Sequence, residues 1–67
     1  MAVAMREVRD DLLAANPHLS LYCDPVEDAI VVALDGCVHR VLTRRDVDDG
    51  DCARKLSDRI RFLTGAD

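Results

Sequence analysis

The chain predicts an α+β domain of two layers, a helix, a three-stranded antiparallel sheet and a helix in the order αβββα. Three observations carry this. Residues 29–42 hold two β-prone runs, Ala-Ile-Val-Val-Ala-Leu and Cys-Val-His-Arg-Val-Leu, around Asp35-Gly36. Asp-Gly suits the two positive-φ positions of a type I′ turn, so the run reads as a tight hairpin. Residues on either side of the hairpin recur at three- and four-residue steps, the spacing of a helical stripe. The connections are too short for parallel crossovers, so the strands must be antiparallel.

The first helix is expected to span about fourteen residues. Met1, Met5, Val8, Leu12 and Ala15 form its apolar stripe, with Arg6, Glu7, Arg9, Asp10 and Asp11 opposite. Asn16-Pro17 ends it, because proline pushes the preceding residue out of the α region. Residues 19–23 then alternate, with Leu19, Leu21 and Cys23 on one face of a first strand. Asp24-Pro25 and Glu27-Asp28 turn the chain into the hairpin.

A two-residue loop at Asp35-Gly36 sets Leu34 against Cys37, Val32 against His39 and Ile30 against Val41. The other face pairs Ala33 with Val38, Val31 with Arg40 and Ala29 with Leu42. Both faces are largely apolar, whereas a strand pair with one wet side alternates apolar and polar. After Thr43 a polar stretch, 44–51, leads to a last helix striped by Ala53, Leu56, Ile60 and Leu63, with Cys52 at its edge. Acids at its start suit the positive end of the helix dipole, and Gly65 is a suitable left-handed stop.

Sixty-seven residues make one small domain, and domains of this size are marginal unless stapled or oligomeric. Only Tyr22 and Phe62 are aromatic, so Val, Leu, Ile and Ala must build the core. No apolar run approaches the ~18 residues of a membrane span, and the N-terminus lacks the basic and apolar regions of a signal peptide. Three widely spaced cysteines fit a reducing compartment, so a cytoplasmic location is expected. Net charge is −4, unevenly placed. Residues 1–35 carry two Arg against seven acids, a net of −5, and residues 36–67 seven bases against six acids, a net of +1.

The motifs argue against catalysis. Cys23, Cys37, His39 and Cys52 lack the closely spaced pairs of a structural zinc site, and single cysteines more often pack as small apolar groups. A Cys37–His39 dyad lacks an orienting third group. No phosphate-cradling glycine loop occurs. No cofactor or metal is expected, and the cysteines are expected to be reduced, with Cys37 in apolar contact.

The remaining signals are surfaces. Arg40, Arg44, Arg45, Arg54, Lys55, Arg59 and Arg61 could form a phosphate-binding patch, but Asp46, Asp48, Asp49, Asp51 and Asp58 are interleaved with them. That spacing reads equally as a solvated, salt-bridged surface. On the acidic side, Asp10, Asp11, Asp24, Glu27, Asp28 and Asp35 could converge on one negative face. Phe62 and Leu13 point away from their helical stripes. With the second hairpin face they could form one contact patch, or lie as scattered surface residues.

The expected function is non-catalytic: a small acidic regulator or inhibitor docking on a larger complex through Leu13, Val31, Val38, Leu42, Phe62, Glu27 and Asp28. Its partner would be a protein with a basic surface. Self-association as a homodimer is also expected, through Ala29, Val31, Ala33, Val38 and Leu42. Phage-encoded inhibitors, anti-CRISPR proteins among them, include small acidic chains of this kind; that expectation rests on size and charge and on no motif. The alternative is a nucleic-acid-associated protein using Arg40, Arg44, Arg45, Arg54 and Arg61.

Overall fold

A computed structural model describes residues 4–65. The helix α1, Met5–Ala15, starts after Ala4 without a side-chain cap; Met1 lies outside the described residues. Asn16 closes it. Its backbone N–H reaches the carbonyls of Leu12 and Leu13, and its side-chain amide donates to Leu12 at 2.9 Å. The chain is still turning at Leu19, whose N–H donates to the Asn16 carbonyl. Strand β1 therefore starts two residues later than the alternation suggests, at Leu21–Asp24.

Asp24 shapes the next loop by accepting from the backbone N–H groups of Val26 and Glu27 at 3.0 and 3.2 Å. Such local bonds are why Asp favours turns. Strand β2 follows at Ala29–Leu34 and β3 at Cys37–Thr43, giving an antiparallel sheet in the order β1-β2-β3. Asp35 and Gly36 take φ of 51° and 80°, the left-handed pair that the sequence requires.

The expected register holds for four pairs and then slips. Leu34, Ala33, Val32 and Val31 face Cys37, Val38, His39 and Arg40, but Ile30 faces Leu42 and Ala29 faces Thr43. A bulge between Ile30 and Val31 sets an extra residue, Val41, into β3. Val41 and Leu42 are consequently both buried, 1% and 0% exposed, although strict alternation would put them on opposite faces. Leu42 is core, and its assignment to a partner surface is corrected.

The 44–51 stretch, expected to be an irregular lead-in, contains a further helix, α2, Arg44–Asp49. A reciprocal cap starts it. The Thr43 hydroxyl accepts from the Asp46 N–H, and the Asp46 carboxylate accepts from the Thr43 N–H at 2.9 Å. Gly50 and Asp51, both at positive φ, then redirect the chain into α3, Cys52–Thr64. Asp51 does not cap α3; its carboxylate takes Arg54 instead. Gly65, in the left-handed conformation, ends α3 as expected.

Met5, Leu12, Leu21, Ile30, Val32, Val41, Leu42, Val47 and Leu56 form the core, with Val8, Leu13, Leu19, Cys23, Leu34, Cys52 and Ile60 packed around it. All three helices contribute to this one cluster, so they cover one face of the sheet. The α3 stripe is rotated from the expected one: Cys52, Leu56 and Ile60 turn inward, while Ala53 and Leu63 are exposed.

Candidate functional site

Among the described residues, no helix packs on the other face of the sheet. Alternation along the strands places Tyr22 on β1, Val31 and Ala33 on β2, and Val38 and Arg40 on β3 there, and none of them joins the core. Tyr22, Val31 and Arg40 form one row across the strands. Tyr22 is 53% exposed and Val38 66%, while Val31 and Ala33 are half-buried by their neighbours. Ala29, paired with Thr43 at the edge of this face, is fully buried and offers nothing to a partner.

Of the residues assigned to a contact surface from sequence, Val31 and Val38 lie on this face. Leu13 packs partly against the core, which corrects its reading as an exposed anchor. Phe62 is exposed as expected, at 84%, but α3 belongs to the helical layer on the far side of the sheet. The single patch of Phe62, Leu13 and hairpin face does not form. Tyr22 was missed as a contact residue, yet its signal was present: it alternates with the inward Leu21 and Cys23.

Ion pairs border the face. Glu27 accepts from Arg40 at 3.4 Å. Asp28 receives a two-pronged bond from Arg44, Nε to Oδ2 at 2.8 Å and Nη2 to Oδ1 at 3.0 Å. The bonded guanidinium holds the Asp28 carboxyl below its ordinary pKa and raises that of Arg44. Asp24 sits at the end of β1 and Asp35 at the hairpin tip. Around the open face stand four acids, Asp24, Glu27, Asp28 and Asp35, against two bases, Arg40 and Arg44. Val26, 89% exposed, projects from the same loop as Glu27 and Asp28.

The basic residues of the second half do not form an open cationic patch. Arg40 and Arg44 are engaged as above, and Arg44 also lies 3.9 Å from Asp48. Arg54 pairs with Asp51 and Asp58, and its pKa is raised chiefly by the bond to Asp51. Lys55 lies near Asp46 and Asp49. Arg59 donates to Asp46 at 2.6 Å and to the backbone carbonyl of Val41 at 2.7 Å. Bonded by Arg59 and by the Thr43 N–H, the Asp46 carboxyl is held well below the usual carboxylate range. Arg45 and Arg61 have no ion pair among the described residues. The interleaved acids thus act as the sequence spacing allowed, as salt-bridge partners.

The thiols are free and dispersed. Cys23 and Cys52 are half-buried beside the core, while Cys37 is exposed, so its expected apolar packing is corrected. Among the described residues no group of three or more His, Cys, Asp or Glu could hold a metal ion, and no helix is long and apolar enough to cross a membrane. A shallow depression of about 170 Å³ lies between the end of α1 and α3, lined by Asn16, His18, Leu19, Ser57 and Ile60. Its lining includes the Ser57 hydroxyl and the His18 imidazole, with no hydrogen bond between them among the described residues. No protein-family model, no curated protein and no solved structure matches this chain.

Proposed function

We propose that this chain is a non-catalytic protein-binding domain, a small regulator or inhibitor that acts by occupying a surface of a larger protein. The observation that carries this reading is the open sheet face, where Tyr22, Val31, Ala33 and Val38 lie together uncovered by any of the three helices. The largest contiguous apolar patch on a monomeric domain, typically about 300–600 Å², is often functional. Tyr22 suits such a role, since aromatic side chains are enriched in interfaces and among the residues that carry binding energy.

The alternative, phosphate binding by the basic second half, is weakened by the ion pairs. A phosphate would have to compete with Glu27, Asp28, Asp46, Asp51 and Asp58 for cations already engaged. The test uses the full chain as bait in the cells that encode it, alongside a titration with duplex DNA. Wild type and Phe62→Ala should retain the same protein, and Val38→Asp should lose it. Retention of DNA that weakens on replacing Arg45 and Arg61 with Ala, with no protein lost on Val38→Asp, would reverse the assignment.

A further inference from the structure

Resting on that reading, we infer that the open face takes a larger protein with a basic-rimmed contact surface, and not a second copy of this chain. The argument starts from area. Three strands about 4.8 Å apart and at most seven residues long, at about 3.3 Å per residue, offer a footprint of at most roughly 14 by 23 Å, or about 320 Å². Two copies packed face to face would bury roughly 600–900 Å² in total with side-chain relief included, short of the about 1,200 Å² at which stable interfaces begin.

A stable partner therefore has to extend beyond the strands and rest on the loops at their ends. That is where the charge lies. The loop between β1 and β2 presents Glu27 and Asp28 beside Asp24, and the β2–β3 turn presents Asp35. Among the described residues, the bases paired with these acids are Arg40, bonded to Glu27, and Arg44, bonded to Asp28. Asp24, Glu27, Asp28 and Asp35 with Arg40 and Arg44 carry a net of two negative charges, so a second copy would bring like charge against like, whereas Lys or Arg flanking an apolar centre would be complementary. Val26, exposed on the same loop as Glu27 and Asp28, adds an apolar side chain to that end of the sheet.

Photo-crosslinking separates the outcomes. The full chain is expressed in the cells that encode it with p-benzoylphenylalanine replacing Val38 on the face, and separately Val26 on the rim, and adducts are identified by mass spectrometry. Both positions should mark one heterologous protein, with Lys and Arg in the peptide joined to position 26. That protein, purified, should bind about tenfold more weakly at 0.3 M than at 0.05 M salt. Glu27→Lys should lower its affinity at least fivefold and flatten the salt dependence, with an unchanged circular dichroism spectrum. A covalent dimer of this chain, an acidic contact peptide or salt-independent binding would overturn the inference while leaving protein binding intact. Absence of any adduct at either position would overturn both.

Discussion

Arg59→Met tests how β3 and the two C-terminal helices are fastened together. The bulge leaves its extra residue, Val41, outside the regular ladder, and the Val41 carbonyl accepts from the Arg59 guanidinium at 2.7 Å. The same nitrogen donates to Asp46 at 2.6 Å, so one side chain on α3 joins the bulge to the cap of α2. Methionine keeps much of the apolar stem and removes every donor. Loss of a charged hydrogen bond that leaves a carbonyl under-satisfied costs about 1.5–3 kcal/mol. The ion pair adds less than about 1 kcal/mol, because Arg59 is nearly half exposed and solvent screens it. Asp46 retains the Thr43 N–H and hydroxyl. The expected loss is thus about 2–3 kcal/mol, from a total of about 3–10 kcal/mol for a domain of this length. Urea unfolding followed by circular dichroism should show it as a midpoint shift of about 2 M, at a slope near 1 kcal/mol/M. Arg59→Lys should lose less, and Arg61→Met, with no ion pair among the described residues, less than about 0.5 kcal/mol. If Arg59→Met and Arg61→Met unfold at the same urea concentration, the fastening role is wrong.

Three further outcomes follow from burial and charge. Leu42→Ala should destabilise by about 2–4 kcal/mol as a core truncation, and Val38→Ala by less than about 0.5 kcal/mol; thermal melts that rank them the other way would place Leu42 on the surface. Cys37→Ser should change stability by less than about 0.5 kcal/mol, because the thiol is exposed, and a larger loss by urea unfolding would reveal packing at the hairpin tip. Asp46 is held below its ordinary pKa of 3.8, so its stabilisation is full above that value and is lost as pH falls toward the lower folded value. Between pH 6 and pH 3 the wild-type urea midpoint should therefore fall more steeply than that of Asp46→Asn, and parallel slopes would contradict the assignment.

The legible parts of the fold were those where one local rule governed. Asp35-Gly36 could serve a two-residue turn with both φ positive, and this fixed four cross-strand pairs. Asn16-Pro17 and Gly65 stopped their helices for equally local reasons. The α2 helix was hidden because Val47 is its sole apolar residue, which leaves no periodicity to detect. Its cap was written as Thr43-x-x-Asp46, with Asp in the place where Glu or Gln is the usual signal. The bulge was hidden for a different reason. Val41-Leu42 is as compatible with alternation as with a slip, and only the demands of packing against the helices decide between them.

That slip also determines what the second face can do. In the unbulged register, Leu42 would stand opposite Ala29 and next to Arg40 on the open face, which would be larger and more apolar, a hazard for sheet-to-sheet aggregation. Turning Leu42 inward adds a large side chain to a core short of aromatics and removes it from the surface. What remains outside is Tyr22, Val31, Ala33 and Val38 in the middle of a ring of acids and paired arginines. The apolar alternation in the sequence thus revealed that a second face exists, but overstated its extent. With the face reduced, the proposed complex would draw on the centre and the charged rim together, so substitutions at Val38 and at Glu27 should each weaken it.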